Sequence, residues 1–181
     1  MNTHIRTKAL LLAAVIGFFC ASGAAFAHTV SNSYLTLGAY PGTASRFHGQ
    51  WDISLRDLNF VLNVDSNGDG QITWGELKAH QKQINDYAYK RLRFSTGGHD
   101  CPIKPQKQWV DTHADGAYAV LFFDVDCPSG KLKSLKLEDS LLFKLDPTHR
   151  GILVFRDGAN TSTALLSPTN HSIDIKLTAK K

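Results

Sequence analysis

The chain has 181 residues, 43% of them hydrophobic and 20% charged, and carries a formal net charge of +4 at neutral pH. That length provides for one domain with a proper core. The positive charge is scattered, with only a short cluster at Lys131, Lys133 and Lys136, so a nucleic-acid-binding surface is excluded as the defining feature.

The first 27 residues read as an export signal rather than as fold. Arg6 and Lys8 give a positive start, Ala9 to Phe19 are almost wholly apolar, and Ala25-Phe26-Ala27 is a small-x-small cleavage site. The apolar run is too short to span a bilayer comfortably. Cys20 follows Gly17-Phe18-Phe19, without the small and branched residues that precede a lipid-modified cysteine. Cleavage after Ala27 predicts a periplasmic or secreted chain of residues 28–181 that begins at His28 and has no membrane span. Loss of Arg6 and Lys8 lowers its formal charge from +4 to +2.

Two strands come next. Tyr34 to Tyr40 ends at a Pro41-Gly42 turn, and in the second strand Phe47, Gly49, Trp51, Ile53 and Leu55 alternate with polar residues. The period then changes. Leu58, Val61 and Leu62 fall at helical spacing, and Trp74, Leu77, Ile84, Tyr87, Ala88 and Arg91 trace an amphipathic helix to about Leu92, with Lys78, Lys82 and Lys90 outward.

Between these helices lies Asp65-Ser-Asn-Gly-Asp-Gly-Gln-Ile-Thr-Trp-Gly-Glu76. Oxygen donors occupy positions 1 (Asp65), 3 (Asn67) and 5 (Asp69), with glycine at 6 (Gly70), an apolar residue at 8 (Ile72) and a carboxylate at 12 (Glu76). Ca²⁺ is a hard cation that takes about six to eight oxygens, and alternate residues of such a loop can turn toward one point. Gly70 permits the sharp turn because it has no Cβ. The Gln71 carbonyl would serve position 7, Thr73 would act directly or through water, and Glu76 would close the shell with both oxygens. With its flanking helices the segment resembles an EF-hand. An Asx-rich surface turn is the plain alternative.

Beyond Ser95 the helical period ends, and Thr96-Gly97-Gly98 reads as a loop. Strand-like runs follow at 108–110, 117–125, 132–137, 141–145, 152–156, 162–166 and 172–177, separated by turn signals such as Asp115-Gly116, Asp146-Pro147 and Asp157-Gly158. The pattern predicts an α+β chain: a β-sandwich-like domain of about eight or nine short strands over residues 28–181, with a helix–loop–helix inserted at about 56–92.

After export, Cys101 and Cys127 are the remaining thiols, and a disulfide is the economical reading in an oxidising compartment. Neither has a second ligand at zinc-like spacing. Asp111-Thr-His-Ala-Asp-Gly116 mimics the start of a second calcium loop but places Phe122 at position 12, so it reads as a hairpin turn. Cleavage at Ala27 would also expose His28, whose α-amine and imidazole can chelate copper together with an imidazole from His48, His80, His99, His113, His149 or His171. His149, behind Pro147, reads as a turn residue. Trp51, Trp74 and Trp109 read as packing residues. No nucleophile elbow, phosphate-cradling loop, zinc-protease helix or dinucleotide fingerprint occurs, so no catalytic or organic-cofactor residues are assigned.

The mature start, His28-Thr-Val-Ser-Asn-Ser-Tyr-Leu-Thr-Leu37, and Gly49-Gln-Trp-Asp-Ile-Ser-Leu-Arg-Asp-Leu58 directly before the loop, resemble exported bacterial EF-hand proteins related to the extracytoplasmic region of HupE/UreJ-like membrane proteins. The resemblance implies a calcium ion as ligand and a protein partner at the cell envelope, and supplies no catalytic residue. The two functions expected are a non-enzymatic calcium-binding module, structural or sensing, and a copper-binding protein or enzyme built on His28.

Overall fold

The computed structural model describes residues 31–43, 45–128 and 132–177. The export signal predicted over residues 1–27, and His28, lie outside the described residues. Within them run strands β1 (Asn32–Ala39) and β2 (Arg46–Ser54), helices α1 (Leu55–Leu62), α2 (Trp74–Ala79) and α3 (Gln81–Tyr89), then strands β3 (Leu92–Thr96), β4 (His99–Cys101), β5 (Ile103–His113), β6 (Gly116–Asp126), β7 (Ser134–Asp139), β8 (Arg150–Asp157), β9 (Asn160–Leu166) and β10 (Ser172–Lys176). The described residues thus form ten strands, against the eight or nine expected.

The strands make two sheets, a six-stranded one in the order β5-β6-β2-β1-β8-β9 and a four-stranded one in the order β10-β7-β3-β4. The pairing of β1 with β8 is parallel, and the other ladders are antiparallel. The two strands preceding the helices therefore sit at the centre of the larger sheet rather than at an edge.

Period-two patterning decides which face is buried. Leu35 and Leu37 of β1, Phe47, Trp51 and Ile53 of β2, and Leu121, Phe123 and Val125 of β6 all turn into one core. Phe94, Leu135, Leu137 and Ile175 of the smaller sheet meet them there, and the Phe94 and Phe123 rings stand 6.0 Å apart. The same core takes Leu58, Leu77, Ile84 and Ala88 from the three helices. Gly49 is the small residue this packing requires: a Cβ there would sit 2.1 Å from Phe123 Cζ.

Three local expectations change. The helix predicted to run on to about Leu92 breaks at His80 (φ −92°, ψ 5°) into α2 and α3. It also ends sooner, since Leu92 and Phe94 alternate into the core as strand β3. The 141–145 run is a turn instead of a strand. Leu141, Leu142 and Phe143 are buried in succession, which a strand with one covered face does not allow. The turn is held by Asp139, whose carboxylate accepts the Leu141 N–H at 2.8 Å. The expected bridge forms: Cys101 at the end of β4 joins Cys127, just past β6, with S–S 2.01 Å, and so links the two sheets.

Candidate metal centre

The loop begins where α1 stops. Asn63 takes the left-handed conformation (φ 52°) and returns its N–H to the Asn59 carbonyl. The Asn59 side chain then accepts the Asp65 N–H at 2.8 Å. Asp65 is the best-buried member of the predicted set, at 8% exposure. Its two carboxylate oxygens accept the N–H groups of Gly68 and Gly70, each at 2.8 Å. Gly68 and Gly70 stand at φ +72° and +81°, where side chains are strained, so both positions demand glycine.

The inward folding continues along the loop. Asn67 Oδ1 accepts from Asp69 N at 3.0 Å, Asn67 Nδ2 donates to Asp69 Oδ2 at 2.9 Å, and Asp69 Oδ1 accepts from Gln71 N at 2.8 Å. Thr73 caps α2 in a reciprocal box with Glu76: its N–H and hydroxyl donate to Glu76 Oε2 at 2.9 and 2.8 Å. Glu76 Oε1 reaches back to accept the Ser66 N–H at 2.9 Å and the Asn67 N–H at 3.4 Å. The Thr73 N–H above all, helped by its hydroxyl and by Ser66 and Asn67, draws the Glu76 pKa down to about 2.

Asp65, Asn67, Asp69, Gln71, Thr73 and Glu76 are therefore drawn into one hydrogen-bonded loop. Their oxygens face amide protons, and no three His, Cys, Asp or Glu side chains among the described residues are gathered as a ready metal shell. The donor set nevertheless suits a hard divalent cation: three carboxylates, an amide oxygen, a hydroxyl and backbone carbonyls, with neither sulfur nor imidazole in the segment.

Helices α1 and α3 are each held by hydrogen bonds to residues in or next to the large sheet. At the start of α1, Asp57 accepts a 2.6 Å hydrogen bond from Ser31, whose oxygen also lies 2.6 Å from His149 Nδ1. Ser33 Oγ stands 3.2 Å from His149 Nε2. His149 follows its turn as expected, yet it is wholly buried, and burial draws its pKa down to about 4. On the other side, Gln108 of β5 donates to Asn85 Oδ1 of α3 at 2.8 Å and to the Gln81 carbonyl at 3.3 Å. Trp74, at loop position 10, meets Trp109 of β5 at 5.6 Å; both are exposed, whereas Trp51 is fully buried.

Sequence reading missed Asn59, Ser31, Asp57 and Gln108 in these roles. Asn59 had a local signal, an Asx residue in the last turn before the loop. The others are partners across long stretches of chain, and no spacing announces them. The Asp111–Gly116 segment forms the β5–β6 hairpin as expected. Its His113 lies 3.2 Å from the buried Asp52 carboxylate and stacks on Tyr118 at 4.2 Å.

No protein-family model matches this chain, and no curated protein matches it.

Proposed function

We propose that the chain is an exported, non-enzymatic calcium-binding protein with one EF-hand-like site, in which the ion holds the helices against the β-sheets. The observation that carries the reading is the 65–76 loop itself: its carboxylate and amide oxygens fold inward onto their own backbone, and Glu76 at position 12 already spans back to residues 66 and 67. Calcium would replace the amide protons as partner of Asp65, Asn67, Asp69 and Glu76, with the Gln71 carbonyl and Thr73 completing the shell. A loop unpaired with a second calcium loop belongs in the extracellular-module range, with Kd about 10⁻⁴ to 10⁻³ M. The Cys101–Cys127 bridge supports an oxidising compartment, and the resemblance to HupE/UreJ-related proteins supports the cell envelope.

A structural role is favoured over sensing. A sensor opens its helix pair on binding, whereas here Asp57 secures α1 to Ser31 and Asn85 secures α3 to Gln108. The test is calorimetry of the processed protein with Ca²⁺, paired with melting curves in chelator and in excess metal. A heat of binding and an upward melting shift are expected, since a ligand selective for the folded state stabilises it by about 2.7 kcal/mol at a hundredfold excess over Kd. Absence of both with calcium raised to about 100 mM, a hundredfold above the weak end of that range, overturns the reading.

A further inference from the structure

A second concavity, of about 560 Å³, lies on the outer face of the six-stranded sheet, away from the calcium loop. The register explains how it forms. Arg156 of β8 lies beside Gly38 of β1, Gly38 beside His48 of β2, and His48 beside Asp124 of β6. Gly38 leaves room for the His48 ring to lie over it: a Cβ there would stand 2.4 Å from His48 Nε2. In the adjoining row Thr36 lies beside Gln50, and Gln50 beside Phe122.

The far wall is made by an irregularity in β5. Pro105 pairs with Phe123 and Gln108 with Leu121, so Gln106 and Lys107 together oppose the single residue Phe122. Such bulges re-aim side chains and recur beside binding sites. Here the bulge brings Gln106 to Asp124 Oδ2 at 2.9 Å and Lys107 Nζ over the Phe122 ring at 5.0 Å. Tyr40 takes the other Asp124 oxygen at 2.7 Å, so both oxygens of the groove's carboxylate are already engaged. Lys107 and Arg156, by contrast, form no ion pair with any described residue. They rise from β5 and β8, four strand spacings apart, or roughly 19 Å between backbones at the usual strand separation. Two long side chains reaching inward from those rims leave a gap suited to a small molecule with a negative group at each end.

We propose that this groove binds a small dicarboxylate, with Lys107, seated over Phe122, and Arg156 each holding one carboxylate, and His48 and Gln50 as flanking polar contacts. The site does not depend on calcium.

The experiment titrates the full processed protein, in chelator, with terephthalate, and follows the side-chain amide resonances of Gln50 and Gln106 by NMR. Saturable shifts are expected, with the one-ended probe benzoate binding about tenfold more weakly, a difference of about 1.4 kcal/mol. Lys107→Ala and Arg156→Ala, both at exposed positions, should each lower terephthalate affinity to the benzoate level without moving the melting temperature. Equal affinity for benzoate, unchanged binding in either variant, or no saturable shift at about 50 mM terephthalate, far above the weak end of specific binding, would each overturn the proposal.

Discussion

Glu76 Oε1 accepts the backbone N–H of Ser66 at 2.9 Å, so the last residue of the twelve-residue loop is already closed onto its second. The same carboxylate accepts from Thr73 through its other oxygen. Replacing Glu76 by Gln removes the charge and one strong acceptor at once. Calcium affinity is expected to fall by at least about tenfold, because the charged bidentate arm at position 12 is lost. Wild-type binding of Glu76→Gln in calorimetry would contradict this ligand assignment.

The acid titration of the loop follows from the same bonds. A carboxyl whose folded pKa lies near 2, against an ordinary value of 4.5, favours the folded loop above pH 4.5 and loses that contribution as pH falls toward 2. NMR of the Glu76 side chain in metal-free protein should show a midpoint near 2. A midpoint at the ordinary glutamate value would mean that the Ser66 and Thr73 bonds are absent in solution.

Asp139 and His149 oppose one another across the mildly acidic range. Burial raises the Asp139 pKa to about 7, against the opposing pull of the Leu141 N–H. Its folded form therefore holds a proton that the unfolded form has lost, and its contribution to stability declines as pH rises from about 4 to 7. Burial lowers the His149 pKa from 6.5 to about 4, so its contribution declines as pH falls from 6.5 to 4. At full extent the effects are on the order of 4 kcal/mol for Asp139 and 3 kcal/mol for His149, since one pKa unit corresponds to about 1.4 kcal/mol. The native protein should show a shallow stability profile between pH 4 and 7. Asp139→Asn should turn it into one that rises with pH, and His149→Gln into one that falls. Chemical denaturation at several pH values measures the slopes; two variants with the same sign of slope would refute the opposition.

The Cys101–Cys127 bridge closes a loop with a sequence separation of 26 between the two sheets. In the chain-entropy description such a loop contributes about 3 kcal/mol. Reduction should lower the melting temperature by several degrees, and thiol labelling of the untreated, unfolded protein should find neither Cys101 nor Cys127 free. Labelling of both would show the bridge to be absent.

Gly49 leaves the space that the Phe123 ring fills. Gly49→Ala is expected to cost about 1–3 kcal/mol, because the strands must shift or Phe123 must leave its packed position. Equilibrium unfolding of this variant checks the value, and unchanged stability would mean that the two sheets are packed more loosely than described.

The 65–76 loop was legible as a unit from spacing alone, because its acidic residues, glycines and capping pair lie within twelve consecutive positions and act through local geometry. The strand character of β2, β6 and β8 was equally legible, since one covered face imposes alternation on the chain. The 141–145 run misled for a related reason: an apolar stretch reports burial, while the choice between strand and turn depends on whether a neighbouring ladder is available. Leu142, at φ +59°, belongs to a turn that Asp139 stabilises from outside the run.

What the sequence determined by itself was therefore local: periodicity, the loop and the pair of thiols. Tertiary structure alone decided that β1 lies between β2 and the distant β8, that Ser31 joins His149 to the helix leading into the loop, and that Lys107 and Arg156 line one groove on the outer face of the sheet. Strand neighbours are chosen by closure of the whole core, where apolar faces from both sheets must fit together at once. No single segment carries that information.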